Sequence, residues 1–131
     1  MVCIYCGGDT KVTNSRLQKR ANTVWRRRTC LQCDAVWTSL EAPEARSAFR
    51  VLKGESMHEF SEETLMISLY EALRHRKTAV TDAAGLTQTV LQDLFKKRLA
   101  IIPSTEIKKT AHAVLQRFDK TAAAVYKATV S

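Results

Sequence analysis

Two Cys-x-x-Cys pairs, Cys3 with Cys6 and Cys30 with Cys33, stand 23 residues apart near the start of the chain. A two-residue spacer lets a tight turn present two sulfurs to one ion, and the interval between the pairs is long enough for strands that bring the turns together. All four cysteines of the chain belong to these pairs. A structural zinc site with four thiolate ligands is therefore expected, ahead of a redox dithiol or a disulfide pair, with iron in a rubredoxin-like site left open by the spacing. Gly7 and Asp34 follow the second ligand of each pair. That position is often driven toward the left-handed region, which Gly and, less readily, Asp tolerate. A closed four-thiolate site offers no open coordination position, and no Ser-His-Asp, Cys-His or paired-carboxylate spacing stands out, so an enzyme is not expected. His58, His75 and His112 read as surface or packing residues.

Length bounds the rest to one domain or two small ones, and 45% hydrophobic with 26% charged residues is the composition of a soluble globular protein. No apolar run approaches the length that crosses a bilayer, so no membrane association is expected. The first residues lack a charged region followed by an apolar stretch, which points to a reducing cytoplasm where thiolates stay free for metal. The net charge is +8. Residues 1–42 hold seven basic and three acidic side chains and residues 43–131 hold fourteen and ten, so the same surplus of four is concentrated in the shorter segment. Four thiolates on Zn2+ carry a formal charge of minus two, but the run Trp25-Arg26-Arg27-Arg28 lies between the cysteine pairs, where it can face a polyanion. The competing interpretation of that run is a basic strand edge that deters edge pairing.

Residues 11–17, 23–29 and 34–39 are short and rich in β-branched or aromatic types, which predicts a small three-stranded sheet. The character changes after Pro43. Ala48–Lys53 and Met57–Phe60 predict a hairpin around Gly54, and helices follow. Ser61 with Glu62 and Glu63 opens a helix with an apolar stripe of Leu65, Leu69, Ala72 and Leu73. A second helix is expected from about Thr81 to Leu99, with Leu86, Val90, Leu91, Leu94 and Phe95 inward. Pro103-Ser104 opens a third, with Ile107, Ala111, Val114, Leu115 and Phe118 inward, and residues 120–129 form a fourth. The class is α+β, with units at residues 1–44 and 45–131.

The stretches Asp9–Arg16, Val24–Cys33 and Val36–Glu41 resemble the zinc ribbon of the bacterial ribonucleotide reductase repressors, the NrdR family. Val51-Leu52-Lys53, Phe60 ahead of Leu65, Ile102-Pro103-Ser104, Phe118-Asp119-Lys120 and Ala124-Val125-Tyr126 extend the resemblance over nearly the whole chain. It implies a DNA-binding ribbon joined to an ATP-cone, a hairpin-plus-helices domain that senses ATP and dATP. The departures fall where nucleotide would bind. Members commonly read Lys-Arg-Asp-Gly and then Glu-Pro-Phe, whereas this chain has Lys53-Gly54-Glu55-Ser56-Met57-His58-Glu59-Phe60, and Thr64 stands where members tend to place a lysine. Side-chain cations make the stronger, charge-assisted bonds to phosphate. Lys53 remains the leading candidate, with Arg50 and Arg76, although Arg74–Lys77 also reads as a solvated basic helix end. The tail carried by many members is expected to be absent.

On this resemblance the protein is a zinc-dependent repressor of ribonucleotide reductase genes, binding double-stranded operator DNA as a homo-oligomer whose assembly responds to adenine nucleotide. Alternation along a strand places Arg26 and Arg28 on one face and Arg27 on the other. Arg26 and Arg28 are the expected DNA contacts, supported by Arg27, Lys11 and Arg16 and, farther out, Lys19 and Arg20. Trp37 is expected to pack within the ribbon, and Trp25 is open between packing and stacking on nucleic acid. Three alternatives stand beside this: an RNA-binding zinc ribbon, an iron-bearing electron carrier, and a DNA-binding ribbon whose degenerate cone serves only oligomerisation.

Overall fold

The computed structural model describes residues 1–130, which divide into two compact units, Met1–Pro43 and Glu44 onward. The first is a three-stranded antiparallel sheet in the order β1 (Thr10–Gln18), β2 (Thr23–Cys30), β3 (Val36–Glu41). Each strand lies within two residues of its expected position. Asn22, at φ 51°, supplies the left-handed residue that turns β1 into β2. The pairing of β1 with β2 slips between Val12 and Asn14, where Thr13 is an extra residue in a β-bulge. Its hydroxyl donates to the Arg27 carbonyl at 3.3 Å. Only Cys3 and Cys30 are buried in this unit, so the sheet has no apolar core of its own.

The second unit surrounds a core of aromatic and aliphatic side chains. A short helix α1 (Ala45–Ala48) leads into β4 (Arg50–Lys53) and β5 (Ser56–Glu59), followed by α2 (Glu62–Ala72), α3 (Ala79–Lys96), β6 (Ile101–Pro103), α4 (Ser104–Phe118) and α5 (Lys120–Val130). Gly54, at φ 62°, makes the hairpin turn between β4 and β5. Ser61 caps α2 by accepting from the Thr64 N–H at 3.1 Å, with Glu62 and Glu63 in the positive first turn. Phe49 meets Phe60 edge-on with centroids 5.6 Å apart and Phe95 at 4.5 Å, which fastens the sheet to α3. Leu69, Leu73, Val90, Leu94, Ile102 and Leu115 are fully buried around them.

Three expectations change. The segment Ala48–Lys53 is not strand throughout, because the Phe49 N–H bonds back to the Ala45 carbonyl at 3.1 Å and closes α1 first. Ile102 and Pro103 do more than precede a helix: they form β6, which runs parallel to β4 and makes the hairpin a three-stranded sheet in the order β5-β4-β6. Phe118 does not face the core; it is 43% exposed, and its ring lies 4.7 Å beneath the Arg76 guanidinium. Leu86, Phe95 and Ile107 are half-buried at the core margin. Thr87 takes an inward position on α3, its hydroxyl satisfied by the Ala83 carbonyl at 2.7 Å.

Asp119 joins two corners of this unit. One carboxylate oxygen accepts from the Ala122 N–H at 3.0 Å and caps α5. The other bonds Arg76 at 3.1 Å and His75 at 3.0 Å, on the turn between α2 and α3. Arg76 also reaches Asp82 at 2.9 Å. The Ala122 amide, the His75 contact and Arg76 together hold the Asp119 carboxyl down to about 2. Its folded value lies below the unfolded one, near 3.9, so its contribution is complete above that value and is lost as pH falls through about 2. Asp119→Ala is expected to lower the stability of the helical unit by about 1–3 kcal/mol at neutral pH. Urea unfolding followed by helical circular dichroism should show the gap from wild type closing between roughly pH 5 and pH 2.

Candidate metal centre and nucleic-acid interface

The sulfurs of Cys3, Cys6, Cys30 and Cys33 all lie within 4.8 Å of one another. Cys3 and Cys33 are 3.7 Å apart and Cys6 and Cys30 3.4 Å. Four sulfurs at the Zn–S distance of about 2.3 Å from a tetrahedral centre are about 3.8 Å apart, so the set fits zinc closely. Backbone amides support the sulfurs: Tyr5 donates to Cys3 and Gly8 to Cys6, both at 3.4 Å, and Gln32 and Cys33 donate to Cys30 at 3.3 Å. Gly7 at φ 76° and Asp34 at φ 59° occupy the left-handed positions expected after each pair. Gly8 is a close approach, because a Cβ there would fall 2.4 Å from the Gln32 amide oxygen. The Leu31 N–H reaches the Asp9 carbonyl at 2.9 Å and links the second turn to the first.

The amides of Cys33 and Gln32 bring the Cys30 thiol down to about 6. For Cys33 the Ala35 amide acts downward, but the neighbouring Cys30 sulfur and burial outweigh it and push the thiol up to about 12. The amides of Cys6 and Tyr5 lower the Cys3 thiol as well, so Cys3 and Cys30 lean toward thiolate while Cys33 leans toward thiol, and binding a cation releases its proton.

The register of the sheet sorts the basic residues by face, because directly opposed residues project to the same side. Arg28 pairs with Trp37 and Val12, and Arg26 with Ser39 and Ser15, so these two arginines do share a face. There Arg26 bonds Glu41 at 2.9 Å, and Arg28 bonds Ser39 at 2.9 Å with its guanidinium 5.9 Å over the half-buried Trp37 ring. Arg27 faces the other way, opposite Asn14 and Thr38. Lys11 pairs with Thr29 and Arg16 with Trp25, which places both on the Arg27 side. The expected cluster of Arg26, Arg28, Lys11 and Arg16 is therefore divided between two faces. Lys19 and Arg20 lie in the β1–β2 turn.

In the helical unit a cavity of about 360 Å³ opens between the small sheet, α2, α4 and α5, lined by Val51, Phe60, Thr64, Lys108 and Tyr126 among others. Lys53 shares its side of β4 with Val51, while Arg50 projects to the opposite side. Arg76 is held by Asp82 and Asp119 and does not line the cavity. The cation that does is Lys108, which no motif in the sequence singled out.

A family model described as "Transcriptional repressor NrdR-like, N-terminal domain" matches residues 1–41. The transcriptional repressor NrdR of Akkermansia muciniphila is 32% identical over 124 residues, 93% of this chain and 76% of the relative. Those of Bordetella pertussis and Heliobacterium modesticaldum are each 32% identical over 132 residues, 97% of this chain, covering 82% and 87% of the respective relatives. The chain belongs to the NrdR family. Its first unit is a zinc ribbon, and NrdR relatives carry the name of regulators and not of catalysts. Among the described residues no helix is long and apolar enough to cross a membrane.

Because metal holds the NrdR ribbon together, Cys30→Ser should abolish zinc binding and the sheet signal while the helical spectrum persists. Elemental analysis of zinc per chain, with circular dichroism on the same samples, checks both. Unchanged zinc content in the variant contradicts the four-cysteine site.

Proposed function

We propose that this protein is a zinc-dependent repressor that binds double-stranded operator DNA of ribonucleotide reductase genes through its ribbon, residues 1–44. Residues 45–131 act in this proposal as an ATP-cone-like unit that assembles the chain into a homo-oligomer and makes DNA affinity respond to ATP or dATP. The observation that carries the proposal is a basic sheet pinned by a four-cysteine site in a chain whose relatives are named transcriptional repressors. A sheet rigidified by metal holds Arg26 and Arg28 on one face and Lys11, Arg16 and Arg27 on the other, so that either face meets a polyanion with little loss of conformational entropy on binding. One ribbon is a small reader, and paired ribbons joined through oligomerisation gain affinity by multivalency.

Nucleotide control requires that ATP or dATP bind two assemblies with different affinity. The cavity beside β4 is the candidate site, with Lys108 on its wall and Lys53 on the neighbouring strand for phosphate and the apolar lining for the base. Two features favour a second interpretation: position 64 on the cavity wall is a threonine, which leaves Lys108 as the lining's one cation among the described residues, and Arg76 is already bound to two carboxylates. The unit would then oligomerise without a nucleotide signal. Native mass spectrometry with and without ATP and dATP, together with duplex-DNA binding by anisotropy, separates the two. Bound nucleotide that changes both subunit number and DNA affinity supports nucleotide control. Oligomers and DNA binding indifferent to nucleotide select the second interpretation. Absence of DNA binding by the zinc-loaded protein overturns both.

A further inference from the structure

We infer that the two faces of the ribbon sheet have separate tasks, and that the face carrying Lys11, Arg16, Trp25 and Arg27 is the one that enters the DNA major groove. This rests on the DNA-binding proposal above and specifies the surface. Lys11 and Arg16 are five positions apart, so on a regular strand they would project to opposite sides. The bulge at Thr13 adds one residue, shifts the register, and brings both to the Arg27 side. A bulge that gathers two cations on one face is a device for aiming side chains.

The partners of each arginine separate the faces further. Arg26 is ion-paired to Glu41, and Arg28 is bonded to Ser39 and laid over Trp37, so the guanidiniums of that face already have protein partners. Arg27 is exposed and makes one side-chain hydrogen bond, 3.3 Å to Thr38, which leaves most of its N–H groups for a ligand. Lys11 and Arg16 are exposed as well. Their rows on the sheet, Lys11/Thr29, Asn14/Arg27/Thr38 and Arg16/Trp25/Leu40, are successive, and two steps of about 7 Å place Lys11 and Arg16 about 14 Å apart. The B-DNA major groove is about 12 Å wide. Flanking cations at that spacing meet phosphates on its two walls while Arg27, in the middle row, reaches guanine edges.

The chain contains two tryptophans, and they lie on opposite faces of this sheet, Trp25 beside Arg16 and Trp37 beneath Arg28. Each reports its own face. In the zinc-loaded full-length Trp37→Phe variant, duplex DNA at low salt should quench or shift the remaining Trp25 emission. In Trp25→Phe, binding measured by anisotropy should leave Trp37 emission nearly unchanged. In a wild-type background, Arg27→Ala should weaken binding about tenfold and relax sequence preference, a several-fold larger loss than Arg26→Ala causes, while Lys11→Ala or Arg16→Ala should reduce the salt slope by about one. A DNA response confined to Trp37, or a larger loss from Arg26→Ala, overturns the face assignment while leaving DNA binding intact. No anisotropy change for wild type with zinc bound removes the DNA-binding proposal itself, and this inference with it.

Discussion

Metal–thiolate bonding is the constraint on which the ribbon depends. A segment of this size buries too little apolar surface to offset the entropy of ordering its backbone, and here only Cys3 and Cys30 are buried. Leu17, Leu31, Val36 and Leu40 all remain exposed, so hydrophobic burial cannot be what aligns the strands. Two turns converging on one ion substitute for a core: four sulfurs held by amides need only a cation to become a rigid corner, and the strands leave from that corner in fixed directions. The helical unit solves the same problem in the usual way, with Phe49, Phe60 and Phe95 at the sheet and a continuous set of buried aliphatic residues between the helices. The metal is thus structural in the strict sense that the ribbon's sheet has little else to hold it.

What could be read from the sequence follows the same division. Cysteine spacing is a covalent-geometry signal, and it located the metal site, its turns and the left-handed Gly7 and Asp34. Helices with a 3.6-residue apolar period were visible to within a few residues, because each is long enough to repeat its pattern. The pattern failed where it had too few residues to repeat. β6 has three residues and is defined by its parallel pairing with β4, a long-range contact that leaves no local mark. α1 depends on one backbone turn ahead of Phe49. Phe118 looked inward by period, yet it sits in the last turn of α4, where a cation supplied by another element competes with the core for the ring.

The candidate DNA residues show a subtler limit. Period-two alternation correctly separated Arg26 and Arg28 from Arg27, since β2 is regular. It gave no account of β1, because a single bulge inverts every assignment beyond it, and nothing in Val12-Thr13-Asn14 announces one. Charge counting was equally blind to occupancy. Three adjacent arginines look equivalent in a sequence, but Glu41, Ser39 and Trp37 on β3 lie opposite or diagonal to Arg26 and Arg28 and satisfy them, while Arg27 meets only a threonine hydroxyl. Which cation is available is decided by the partner strand.

The same distinction between a charge and an available charge bears on the nucleotide question. Arg76 lies in a basic run of the helical unit, yet two carboxylates and an aromatic ring already surround it, and its removal would loosen the joint around Asp119 before it affected any phosphate. The cavity beside β4 is lined by Lys108 together with Glu59, so its wall brings one cation and one carboxylate to a ligand. A triphosphate carries several negative charges and needs charge-assisted bonds to offset its lost hydration. Lys109 and Lys127 line an adjoining hollow that shares Lys108, Tyr126 and Val130 with this cavity, so a phosphate beside Lys108 has further cations within the same corner of the fold, whereas Lys53 stands on the neighbouring strand outside the lining. The apolar part of the cavity imposes no such demand, because Val51, Phe60 and Tyr126 line it with carbon surface that needs no cation to be covered.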